Sequence, residues 1–233
     1  MFDHALILDP QSIHAKAWLA KALVDRMLDG MADSSAADVA RAEGLVDEAL
    51  AASPHYALAH LVKAQVLRAQ SGCEEATPEY ETALTLDRNL VGALHGLAWC
   101  EVYAGSLDEA IRLAEQAIRL SPLDPAIYGR YLVIGTAHLL QSRTDEAIVW
   151  FEKGRNVGPP SPFVHGRLAS AYALRGETDR AAAELAEARK LISDDRYSSI
   201  SRLARGYWGV PKTRALIEAT YFAGLRKAGM PAN

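Results

Sequence analysis

The chain has 233 residues, half of them apolar but only 7% aromatic, and a formal net charge of −4 at pH 7. That charge speaks against general affinity for nucleic acid, no apolar run approaches the roughly 18 residues of a membrane span, and no signal-peptide pattern opens the chain. The composition predicts a soluble, cytoplasmic protein whose helices pack through small side chains rather than around one large core.

The first ten residues, MFDHALILDP, read as the end of a helix stopped by Pro10. With no partner helix encoded before them, Phe2, Leu6 and Ile7 form an apolar strip and a candidate surface for self-association as a homodimer. Five units of two helices then follow, at 11–54, 55–88, 89–122, 123–159 and 160–193. The clearest is VGALHGLAWCEVYAGSLDEAIRLAEQAIRLSP, from Val91 to Pro122. Leu94, Leu97, Ala98 and Val102 make the apolar stripe of its first helix, Gly105 breaks it, and Ser106 with Glu109 reads as a capping box opening the second. Ala110, Leu113, Ala114 and Ala117 face back, small enough to let the helices approach. The first unit carries ten extra residues between Lys21 and Arg41, around MADSSAAD, expected to be exposed and mobile. The fourth carries three extra around LDPAIYGRY. Residues 194–233 are expected to cap the array, with a short helix at Tyr197–Arg205 and a longer one at Pro211–Lys227. Ile217, Tyr221 and Leu225 of the latter share one face and cover the flank of the fifth unit. This tail is basic, with seven Lys and Arg from Arg196 onward against Glu218.

Ala42, Ala76, Ala110, Ala147 and Ala181 stand 34, 34, 37 and 34 residues apart. Ala49, Ala83, Ala117, Gly154 and Ala188 keep the same beat, as do the turn residues Pro54, Arg88, Pro122 and Pro159. With small residues in each first helix, DEA or DRA opening the second and proline at the turn, the units resemble tetratricopeptide repeats. The resemblance implies an all-α fold, a right-handed superhelical solenoid of about five helix-turn-helix repeats with a C-terminal capping helix. Longer strings, QSRTDEAIVWFEKG, LASAYALRGETDRAAAELAEARKL and above all the closing GLRKAGMP, resemble the C-terminal repeat region of bacterial signalling proteins. In those, a class III adenylate/guanylate cyclase or a winged-helix domain precedes the repeats.

Motifs for chemistry are missing. His4, His14, His55, His60, His95, His138 and His165 form no H-x-x-x-H pair, so neither metal nor cofactor is expected. Phosphate-cradling glycine loops and nucleophile elbows do not occur either. Glu74–Glu75 and Asp108–Glu109 fall at helix starts, where negative charge suits the helix dipole. Cys73 and Cys100 fit the repeat pattern and are expected to be buried thiols in a reducing compartment. An enzyme is therefore not expected.

A partner would meet the first helices of the units, on positions left over from the packing stripe. These are Lys21, Gln65, Arg68, His95, Trp99, Tyr103 and Arg167, with Thr136, Leu139, Leu140, Ser170 and Leu174 beside them. Gly92 and Gly96 are expected to open a pocket next to His95 and Trp99. Aromatic rings flanked by cations suit a protein or peptide with an apolar anchor and an acidic group. Members of the resembled family that bind chaperone tails present Lys, Arg and Asn together; only Lys21 and Arg68 match here, which argues against such tails. The expected function is a protein-interaction scaffold or sensor module, with self-association alone as the alternative.

Overall fold

The structure, a computed structural model, describes residues 1–28, 36–70, 72–192, 194–206 and 209–233. Among these residues the fold is helical throughout, in two compact units, Met1–Cys100 and Glu101–Asn233.

Unit 1 holds α1 (Phe2–Leu8), α2 (Ile13–Leu28), α3 (Ala36–Ala52), α4 (Ala57–Gln70), α5 (Cys73–Leu86) and the larger part of α6 (Val91–Ala104). Helix α2 pairs with α3 and α4 with α5, and α2 runs beside α4. Ala20, Ala42, Ala49 and Ala59 sit at the crossings, fully buried between Val24, Val46, Val62 and Val66. Bulk at those alanines would force the helices apart and forfeit contacts around them. The ten extra residues of the first unit lengthen both of its helices, to 16 and 17 residues against 14 in α4 and α5. Ala36, Ala37 and Asp38 are therefore helical. The rest of the segment expected to be mobile, residues 31–35, lies outside the described residues.

Two expectations change in this unit. Phe2 and Leu6 do have partners: Phe2 stacks on Trp18 with ring centroids 6.2 Å apart, and Leu6 packs on the α2–α3 core. An Arg41–Asp3 ion pair ties the same short helix to α3. Ile7 alone of the three faces outward. Cys73 and Cys100, expected as separate thiols, form a disulfide across a Cα–Cα distance of 5.0 Å. It fastens the start of α5 to α6, and bonds of this kind persist under oxidising conditions.

Unit 2 continues with α7 (Leu107–Leu120), α8 (Ile127–Leu140), α9 (Thr144–Val157), α10 (Pro162–Arg175) and α11 (Thr178–Leu191). A 3₁₀ turn (Arg196–Ser198), α12 (Ile200–Ala204), α13 (Pro211–Ile217), a π turn (Glu218–Phe222) and α14 (Ala223–Lys227) complete it. The pairs α8–α9 and α10–α11 repeat the small-residue packing, with Phe151 laid against Gly135. The three extra residues before α8 form a turn centred on Asp124. Its carboxylate accepts from the Ala126 N–H and from Arg130, each at 2.8 Å. The capping box is not formed: the Ser106 side chain makes no cap bond, and Glu109 turns to Arg112.

The C-terminal helix packs on the fifth unit, with Ile217, Tyr221 and Leu225 buried. Helix α14 and the π turn rest on α10, and the π turn reaches α8. The 3₁₀ turn adds to this cover: its Tyr197 fills the space over Gly166, and the Tyr197 carbonyl accepts from Arg189.

Candidate functional site

Within unit 1, α2, α4 and α5 carry a polar cluster. It begins at Asp25, one turn after Lys21 on α2, so that both side chains project from one face. The Asp25 carboxylate accepts from the Lys21 ammonium and, at 2.7 Å, from Gln65 Nε2 on α4. Gln65 is 8% exposed, and its Oε1 is buried with no donor. Arg68 follows close behind on α4, and its Nε is buried with no acceptor. From α5, Tyr80 inserts its ring against Gly96 of α6; the side chain is fully buried and its hydroxyl has no partner either. Burial pushes the Tyr80 pKa up, with the Arg68 cation opposing and the Asp25 carboxylate reinforcing the shift. The phenol is therefore neutral and available as donor or acceptor.

One donor, one acceptor and one hydroxyl are thus withdrawn from water without compensation. An unmet buried polar group costs about 1–3 kcal/mol, far more than an average hydrogen bond returns. Native folds hold few such groups, and each calls for an explanation.

His95 and Trp99 lie one turn apart on α6, both half-buried and neither without a partner. The pocket expected beside them does not form, because Gly92 receives Leu61 and Gly96 receives Tyr80. The glycines admit neighbouring side chains instead of a ligand. Tyr103 and Arg167 belong to unit 2. The Tyr103 carbonyl accepts from the Val210 N–H at 3.2 Å. Arg167, 5% exposed, donates from Nε to the Thr136 hydroxyl at 2.9 Å and stands over the Tyr221 ring. It faces a protein surface already in place, not an open groove. Phe2 and Leu6 are committed to α2, leaving Ile7 with Leu8 exposed at this end of unit 1.

Asp25 and Tyr80 were not legible as site residues. Asp25 had one signal, its position four residues after Lys21. Tyr80 occupies the helix position held by Val46, Ala114, Phe151 and Leu185 in the other repeats, a position that carries no signal of a site. Among the described residues no three His, Cys, Asp or Glu side chains converge as a metal site would require. No described helix is long and apolar enough to cross a membrane.

The family model for the tetratricopeptide repeat matches residues 61–125 and 95–163. Comparison with curated protein sequences gives no match. Solved structures give many. That of pilF from Pseudomonas aeruginosa is 18% identical, with 92% of this chain and 89% of that chain covered and a TM-score of 0.61. PilW, a type IV pilus biogenesis factor, is 16% identical over 90% of this chain and 89% of its own, with a TM-score of 0.62. YrrB, a tetratricopeptide-repeat protein with an unusual peptide-binding site, is 19% identical over 84% and 95%, with a TM-score of 0.52. At such identities the likeness is one of fold: the chain is an all-α helical-repeat protein, and its residues 61–163 match the tetratricopeptide-repeat model.

Proposed function

We propose that this helical-repeat chain is a protein-interaction module, and that unit 1 binds a partner segment over α2, α4 and α6. The observation that carries the reading is the trio of unmet buried atoms, Gln65 Oε1, Arg68 Nε and the Tyr80 hydroxyl, on one polar cluster. An acidic side chain supplies an acceptor to Arg68, and a backbone N–H supplies a donor to Gln65. A peptide with an acidic residue next to a free amide meets both needs, and His95 and Trp99 give it an apolar edge to rest on. YrrB, similar in fold, is described as having a peptide-binding site, and helical repeats present rigid surfaces suited to such ligands. A scaffold or sensor role beside a signalling output domain rests on the resemblance of the closing strings to cyclase-linked and winged-helix proteins.

Panning a random peptide library against the full chain tests the reading. Enriched peptides should carry an acidic residue and lose at least ten-fold in affinity to Arg68→Ala, with less loss for Lys21→Ala, whose ammonium is already held by Asp25. Peptides that bind Arg68→Ala and Gln65→Ala as well as the parent would overturn it. A second reading, self-association, is favoured by Ile7 and Leu8, 74% and 75% exposed side by side. Light scattering on the chain with and without residues 1–9 separates the two: a monomer in both cases removes self-association.

A further inference from the structure

Unit 2 offers the corresponding face of its own first helices, α8 and α10, and the chain covers it with its own C-terminal segment. The Ser170 hydroxyl on α10 donates to the Tyr221 carbonyl at 2.8 Å. Gly224 sits so close to Ser170 that a β carbon would have no room. The Arg167 guanidinium stands 5.6 Å from the Tyr221 ring centroid. Further along, Gly209, at φ +119°, brings Val210 to the Tyr103 carbonyl at the end of α6. One side of the segment is buried (Thr213, Ile217, Thr220, Tyr221 and Leu225), while Lys212, Arg214, Arg226 and Lys227 face water. An amphipathic helix laid over a row of helices is a recurring mode of peptide recognition.

Polar groups are buried at this contact: Thr136, Arg167, Ser170 and Thr220. Thr213 is fully buried with its hydroxyl unpartnered. Such groups regain water when the segment lifts away, which lowers the cost of opening relative to an aliphatic layer. The segment's path is also irregular, since the π turn interrupts it where it meets both α8 and α10, and π turns concentrate at functional sites.

We propose that the α8–α10 face is a helix-binding groove and that residues 209–230 are its occupant in cis. The partner that replaces them is an amphipathic helix with an aromatic residue where Tyr221 lies, then glycine and leucine in the places of Gly224 and Leu225. The aromatic ring takes the Arg167 cation, the glycine lets the backbones approach at Ser170, and the leucine fills the apolar floor. This inference stands apart from the ligand proposed for unit 1.

A fluorescent peptide of residues 209–230, added to the full chain, tests the groove by anisotropy. The intact protein should bind it weakly, because the tethered copy competes at high effective concentration. Gly224→Arg in the chain drives the tethered copy out and should tighten peptide binding at least ten-fold. Adding Ser170→Leu to that variant should abolish the gain. Hydrogen exchange on the unaltered chain reads the same property: amides of 211–227 should exchange at least ten-fold faster than those of α10. Equal exchange of the two segments overturns the proposal. So does Gly224→Arg with unchanged peptide affinity, or a loss of helicity in that variant extending through α8 and α10.

Discussion

The ring of Tyr80 lies against Gly96, filling the space a side chain would take on α6 while leaving its own hydroxyl unpartnered. Fit and misfit meet in one residue: the ring completes the core of unit 1, and the hydroxyl belongs to the polar cluster. Adding a single methyl at Gly96→Ala strikes the ring directly and should cost about 1–3 kcal/mol, the range for overpacking. Tyr80→Phe keeps the ring and deletes only the unmet hydroxyl, so stability should hold or rise by up to about 1 kcal/mol. Urea denaturation of the two variants checks both signs, and a large loss for Tyr80→Phe would show that the hydroxyl is satisfied in solution.

Arg68 should show the same opposition between stability and binding. Its buried Nε gains nothing from the folded chain. Arg68→Leu should therefore leave the thermal midpoint within about 2 °C or raise it, in line with binding sites that are held at the expense of stability. Binding of a panned acidic peptide should drop in the same variant. A midpoint lowered by about 6 °C or more would instead give Arg68 a structural partner.

The Cys73–Cys100 bond closes a loop with a sequence separation of 27 residues. Cross-linking a loop of that length removes unfolded-state entropy worth about 3.5 kcal/mol at 25 °C. Reductant should lower the denaturation midpoint by a corresponding amount, and the Cys73→Ala, Cys100→Ala pair should be insensitive to it. Titration of the unfolded chain with a thiol reagent, before and after reduction, counts the free cysteines independently.

His138 gives unit 2 a dependence on pH. Burial, with the Arg143 cation second, depresses its pKa below the ordinary 6.5, and its Nδ1 is buried without a partner. The folded state then holds the proton less readily than the unfolded chain. The associated stability is fully present above the unfolded pKa and is lost as pH falls from there through the depressed folded value. Thermal melts from pH 8 to pH 5 should show the parent losing more than His138→Gln below about pH 6.5. Parallel curves would place the imidazole in water.

The period of small residues determined the architecture from the sequence alone. Ala42, Ala76, Ala110, Ala147 and Ala181 are fully buried because two helices can meet closely only over a side chain that small. The stripe Leu94, Leu97, Ala98 and Val102 is buried for the same local reason, as the helical repeat puts these residues on one side. Partners far apart in the chain were decided by tertiary structure. Periodicity shows which face of a helix is left over, but not what comes to lie on it. So Gly96 read as an opening until Tyr80 arrived from α5, and Arg167 read as groove until Tyr221 arrived from 54 residues downstream. Cys73 and Cys100 looked like two separate core thiols until the step from α5 to α6 set their α carbons 5.0 Å apart. Each of these outcomes depends on how much space one helix leaves for a residue of another, a quantity that the spacing of residues along one chain does not contain.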